Sequence, residues 1–124
     1  MTNPFRVVLI DATGVPTIEA WDISAPGQQL STAVARDNGA LECATLRPNL
    51  CLWFGVRLGS TGGQQEPNPV VTAIARNFGL WLDHSGPAAL TALDAEGRLA
   101  SMTQTQALWT RREVRTARRA LRLA

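Results

Sequence analysis

The chain has 124 residues, 45% of them apolar, and a formal charge of +2, which is the size and composition of one domain with a single core. Its longest unbroken apolar runs, residues 7–10 and 50–54, are far shorter than the roughly twenty residues of a membrane helix, so a membrane-spanning helix is excluded. Lysine and tyrosine are absent and all twelve basic residues are arginine, which removes Schiff-base chemistry and any phosphate loop that depends on a lysine.

Residues 5–10 are β-branched and apolar and end in Asp11-Ala12-Thr13-Gly14, so they predict a strand and a turn, with residues 17–23 returning as the hairpin partner. Ser24-Ala25-Pro26-Gly27 breaks that strand, and Leu30, Ala33 and Val34 then recur at helical spacing up to Asn38-Gly39, predicting a helix over 28–37. Residues 41–46 and 50–56 read as two strands about Arg47-Pro48-Asn49, and the glycine-rich 59–65 reads as a mobile loop.

Asn68-Pro69 predicts a helix start, with Asn68 as N-cap and Pro69 in the first turn, a buried face of Val70, Val71, Ile74 and Phe78, and a stop at Gly79. Residues 80–82 read as a short strand, and 88–93 with 98–102 as a hairpin about Asp94-Ala95-Glu96-Gly97. The last element, 105–123, lacks glycine and proline and predicts a helix. The expected fold is α+β: a small, mostly antiparallel sheet in the order ββ-α-ββ-α-β-ββ, with helices on one face, two short helices and a basic C-terminal helix. The expected organisation is one α+β domain over 1–104 followed by an amphipathic helix over 105–124.

Few residues suggest reaction chemistry. Asp83-His84-Ser85 holds the residue types of a hydrolase triad, but consecutive neighbours on a strand point to opposite sides and cannot form the relay. His84, the only histidine, reads as a strand-end or turn residue. Cys43 and Cys51 flank the Pro48 turn, and a loop centred there pairs Cys43 with Trp53, leaving two buried free thiols and no disulfide. No Cys-x-x-Cys or histidine pair initiates a zinc site. Asp11, Asp94 and Glu96 are explained by turns. The chain is therefore expected to be non-enzymatic, without cofactor or metal.

The charge is unevenly distributed. Six arginines over 110–124, opposed only by Glu113, give that segment +5 and leave −3 on the rest. On a helical wheel Arg111, Arg115, Arg118 and Arg122 form one stripe, and Arg112 and Arg119 widen it to about 120°. Val114, Ala117 and Leu121 lie on another face. Trp21, Trp53 and Trp81 fall within apolar strands and read as core, whereas Trp109 directly precedes the arginines and could anchor the helix or flank a contact. This stripe, with Trp109, is the candidate surface for an acidic protein or a nucleic acid. The chain beginning Met1-Thr2-Asn3-Pro4-Phe5-Arg6 shows no signal peptide, and a cytoplasmic location is expected.

Four segments, Val8-Leu9-Ile10-Asp11-Ala12-Thr13-Gly14, Asn38-Gly39-Ala40-Leu41-Glu42, Asn68-Pro69-Val70-Val71-Thr72-Ala73-Ile74-Ala75 and the stretch 83–93 containing Gly86-Pro87, resemble in the same order the motifs of the domain of unknown function 3846 family. The resemblance spans roughly residues 6–102. It implies a small accessory protein of phages, plasmids or other mobile elements of actinobacteria, with no catalytic residue. The chain departs from that family at Trp53-Phe54-Gly55-Val56, in the loop that follows, and in the arginine-rich C-terminus.

Overall fold

The computed structural model describes residues 4–22, 24–35, 39–57, 67–81 and 84–121. Within them the fold is α+β, a mostly antiparallel six-stranded sheet with helices on both faces. Strands β1 (Pro4–Ile10) and β2 (Pro16–Asp22) form the first hairpin. Strands β3 (Gly39–Arg47) and β4 (Leu50–Arg57) form the second. Between them lies β5 (Ala88–Leu93), antiparallel to both β1 and β4, which gives the order β2-β1-β5-β4-β3. The short β6 (Leu99–Ala100) pairs with β5.

Strand alternation sorts the apolar residues into two layers. Val8, Ile10, Leu50, Leu52, Ala88, Leu90 and Ala92 face helices α2 (Pro69–Asn77) and α3 (Gln104–Ala120), which contribute Val70, Val71, Ile74, Ala75, Ala107, Val114 and Ala117 to the same core. The opposite face presents Leu9, Trp21, Leu41, Trp53 and Ala89, and Leu30 and Val34 pack there. Helices on a single face were expected; the second apolar stripe on the strands is what draws a helix to the other side. That helix is α1 (Pro26–Leu30), and it continues as a π-helical turn over Ser31–Ala35, not as the regular helix predicted over 28–37. The end of that predicted helix, 36–38, lies outside the described residues, as does the predicted loop 59–65.

The predicted strand at 80–82 is not formed at Leu80 or Trp81, and residue 82 lies outside the described residues. The backbone here closes α2 instead: the Gly79 amide donates to the Arg76 carbonyl and the Leu80 amide to the Ala75 carbonyl, both at 2.9 Å, with Gly79 at φ +86°. These bonds satisfy helix-terminal carbonyls and leave nothing to ladder. Trp81 is accordingly 82% exposed, not core, with the Arg76 guanidinium 5.2 Å from its ring centroid. The predicted strand at 98–102 shortens to two residues because Ser101 and Met102 turn back to β1: the Arg6 amide donates to Ser101 Oγ at 2.8 Å and the Met102 amide to the Arg6 carbonyl at 2.9 Å.

Asn68 joins three segments. It is fully buried. Its Oδ1 accepts from the Val71 amide at 3.3 Å as the expected N-cap of α2, and its Nδ2 donates to the carbonyls of Asp11 and Gly86, each at 2.9 Å. The β1–β2 turn, the α2 start and the approach to β5 are thereby tied by one side chain. Gly14 sits beside it at φ +88°, and a Cβ there would lie 2.4 Å from Val70 Cγ2, so both its conformation and its space require glycine.

His84 lies behind this junction. It is buried, its Nε2 is 3.1 Å from the Pro87 carbonyl, and its ring meets Phe54 edge-on at 5.5 Å. Burial pushes its pKa below the ordinary value of 6.5, outweighing the hydrogen bonds to Pro87 and Gly86 that favour the charged form. The unfolded chain therefore takes up a proton at a pH where the folded chain does not. Stability is complete above the unfolded pKa and falls as pH drops from about 6.5 towards the lower folded pKa. Thermal melts should show Tm falling between pH 7.5 and 5.5, and His84→Gln should flatten that dependence; a wild-type Tm that does not change over this range would refute the account.

The register pairs Cys43 with Trp53 as expected, and both cysteines are free. Cys51 is buried but Cys43 is exposed, which corrects the expectation of two buried thiols. Burial, with Cys43 nearby, pushes the Cys51 thiol up to about 12, leaving it protonated and unreactive at neutral pH.

Candidate nucleic-acid interface

Helix α3 runs from an N-cap at Thr103, whose side chain accepts from the Gln106 amide at 3.0 Å, to Leu121. Ala107, Thr110, Val114 and Ala117 are its buried face. Thr110 is accommodated because its hydroxyl donates to the Gln106 carbonyl at 2.7 Å. The apolar spacing thus seats the helix on the sheet and leaves its opposite side outward.

The arginine stripe divides about this seating. Arg111, Arg112, Arg115 and Arg119 line the outer side with Trp109, Leu108, Thr105 and Thr116, bordering a shallow cavity of about 690 Å³. Arg112, Arg115 and Arg119 are exposed, and Arg111 is half-buried. Arg118 turns towards the β1–β2 turn, where with Arg115 and Arg119 it lines a second recess beside Val15 and Pro16. Its charge acts on Asp11, whose carboxyl resists ionisation through burial but accepts from the Thr13 hydroxyl and from the amides of Val15 and Thr13; the balance holds it below the usual carboxylate value. One of the stripe's charges thus faces the acidic body. Arg122 lies outside the described residues.

The outer arginines make no ion pair among the described residues; the ion pairs there join Arg98 to Asp94 at 3.2 Å and to Glu96 at 3.4 Å. Like charges on one helix face repel, and a polyanion laid along the face would relieve that repulsion. Trp109 is half-buried, and the residue that holds it is one that sequence reasoning assigned only to a turn. The Arg47 guanidinium, at the end of β3, is 5.1 Å from the Trp109 ring centroid and 5.3 Å from that of Phe78. It thereby links the β3–β4 turn, α2 and α3. Arg47 was legible as a turn residue, but no local pattern brings it to a helix sixty residues away.

Arg47, Asn49 and Leu50 face Thr103, Thr105, Gln106 and Trp109 across a further cavity of about 440 Å³. It adjoins the arginine-lined one through the shared walls Thr105 and Trp109. Asp83 lies outside the described residues. His84 uses its ring within the fold, its backbone amide donates to Thr72 Oγ1 at 3.0 Å, and Ser85 bridges to Pro67. Among the described residues no group of three or more His, Cys, Asp or Glu is placed to hold a metal ion, and no helix is long and apolar enough to cross a membrane.

No family model matches the chain, and no curated protein or solved structure matches it. The likeness to the domain of unknown function 3846 family rests on the four sequence segments themselves.

Proposed function

We propose that this protein is a non-enzymatic binding module, of the mobile-element accessory kind that its sequence resemblance implies, and that its outer α3 face binds the phosphate backbone of a nucleic acid. The observation that carries this reading is the set of four arginines, Arg111, Arg112, Arg115 and Arg119, lining one cavity with no carboxylate partner among the described residues. Arginine forks match phosphate oxygens in geometry and charge. An acidic protein offers the same charge complement, but not a regular anionic repeat to the row Arg112, Arg115 and Arg119, about 4.5–6 Å apart along the helix axis.

The test is fluorescence anisotropy with the full chain and labelled oligonucleotides between 50 and 200 mM salt. Four phosphate contacts predict a log–log slope of roughly −2.8 for single strands and −3.6 for duplex. Absence of binding at 50 mM salt would reject the nucleic-acid reading and turn the search to acidic protein partners.

A further inference from the structure

We propose that the nucleic acid is single-stranded, with one unpaired base entering the cavity between the β3–β4 turn and the start of α3 and stacking on Trp109, while its backbone follows the outer arginines. The inference rests on the nucleic-acid reading above and adds to it the class of strand.

Three observations support it. The first is continuity: the 440 Å³ cavity and the arginine-lined cavity share Thr105 and Trp109, so a strand tracking the arginines passes the mouth of the inner cavity. The second is that the aromatic wall is positioned in advance. Arg47 lies over the rings of Phe78 and Trp109, at 5.3 and 5.1 Å from their centroids, which holds the indole from that side before any ligand arrives, lowers the ordering cost of stacking and leaves a base the indole's other face.

The third is chemical. The Asn49 side-chain amide makes no hydrogen bond among the described residues, and Gln106 uses its amide nitrogen for a long 3.3 Å contact to the Asn49 carbonyl. Both can donate to and accept from the edge of a base. A cavity with an aromatic wall and two amide side chains in its lining suits a flat, polar-edged ring. Duplex DNA presents only base edges in its grooves, its ring faces being stacked inside, so a wall built for stacking selects unpaired bases.

The experiment compares three ligands at one salt concentration by anisotropy: oligodeoxythymidine, an abasic strand of equal length and charge, and a duplex of that length. Oligodeoxythymidine is expected to bind about 5- to 150-fold tighter than the abasic strand, the range for one stacked base, and tighter than the duplex. Trp109→Leu should abolish the preference while leaving abasic binding in place. The wild-type comparison does not depend on that variant folding. Equal affinity for the thymidine and abasic strands, or a duplex bound as tightly as the single strand, would overturn this inference and leave backbone binding standing. No binding to any of the three would reject the backbone reading, and this inference with it.

Discussion

Asn68→Ala is expected to lower the unfolding free energy by about 2–4 kcal/mol. Loss of an N-cap costs about 1 kcal/mol, and each buried carbonyl left without a donor costs about 1–3 kcal/mol. The buried Gly86 carbonyl loses the Nδ2 donor, whereas the Asp11 carbonyl, served by the same Nδ2 at 2.9 Å, keeps the Gly14 amide at 2.9 Å. Against a typical total of about 5–15 kcal/mol this is severe, and Tm should fall by roughly 10–20 °C.

Asn68→Asp separates the two roles. Aspartate caps a helix as well as asparagine does, so a residue acting only as a cap would tolerate the change. Here the carboxylate has no N–H to donate and would face two carbonyl oxygens in a buried site. The aspartate variant should be no more stable than the alanine variant. Denaturant titration decides the matter, and an Asn68→Asp protein as stable as wild type would remove Asn68 from its place as the tie between the β1–β2 turn and β5.

The combined substitution Arg112→Gln, Arg115→Gln, Arg119→Gln should reduce affinity for nucleic acid at 50 mM salt by on the order of 10²–10³-fold and make the salt slope shallower by roughly 2–3 units. All three side chains are exposed, and glutamine is close to arginine in helix propensity, so stability should change little. Arg98→Gln is the matched control, since Arg98 is also exposed but lies at the Asp94–Glu96 turn, outside the α3 row, and pairs there. A triple variant that retains the wild-type slope would show that phosphates do not lie on this face.

Much of the fold was legible because its signals are local. The Asp11–Gly14 turn, with Asp11 Oδ1 accepting from the Thr13 and Val15 amides at 2.9 Å, the Asn68 cap and the Cys43–Trp53 register all follow from residue types within a few positions. The strand predicted at 80–82 failed because three apolar residues after a glycine satisfy a strand pattern and a helix-capping pattern equally well. The hydrogen bonds to Ala75 and Arg76 decided between them. The charge of the α3 face was likewise legible, but its division was not. Whether an arginine lines only the outer cavity, as Arg112 does, or acts on Asp11, as Arg118 does, depends on how the helix is rolled on the sheet. Arg47 and Asn49 reach the site only through tertiary folding, so no sequence pattern announces them.

The strand order β2-β1-β5-β4-β3 also governs how the protein comes into being on the ribosome. Both hairpins are complete once residue 57 has been made, but the strand that joins them begins at residue 88, about 2–6 s later at ordinary elongation rates. During that interval the inner edges of β1 and β4 are bare and open to wrong pairings. The arginine helix follows still later and needs the finished sheet beneath Val114 and Ala117. The nascent chain therefore acquires the charged surface of α3 only after the sheet beneath it is complete.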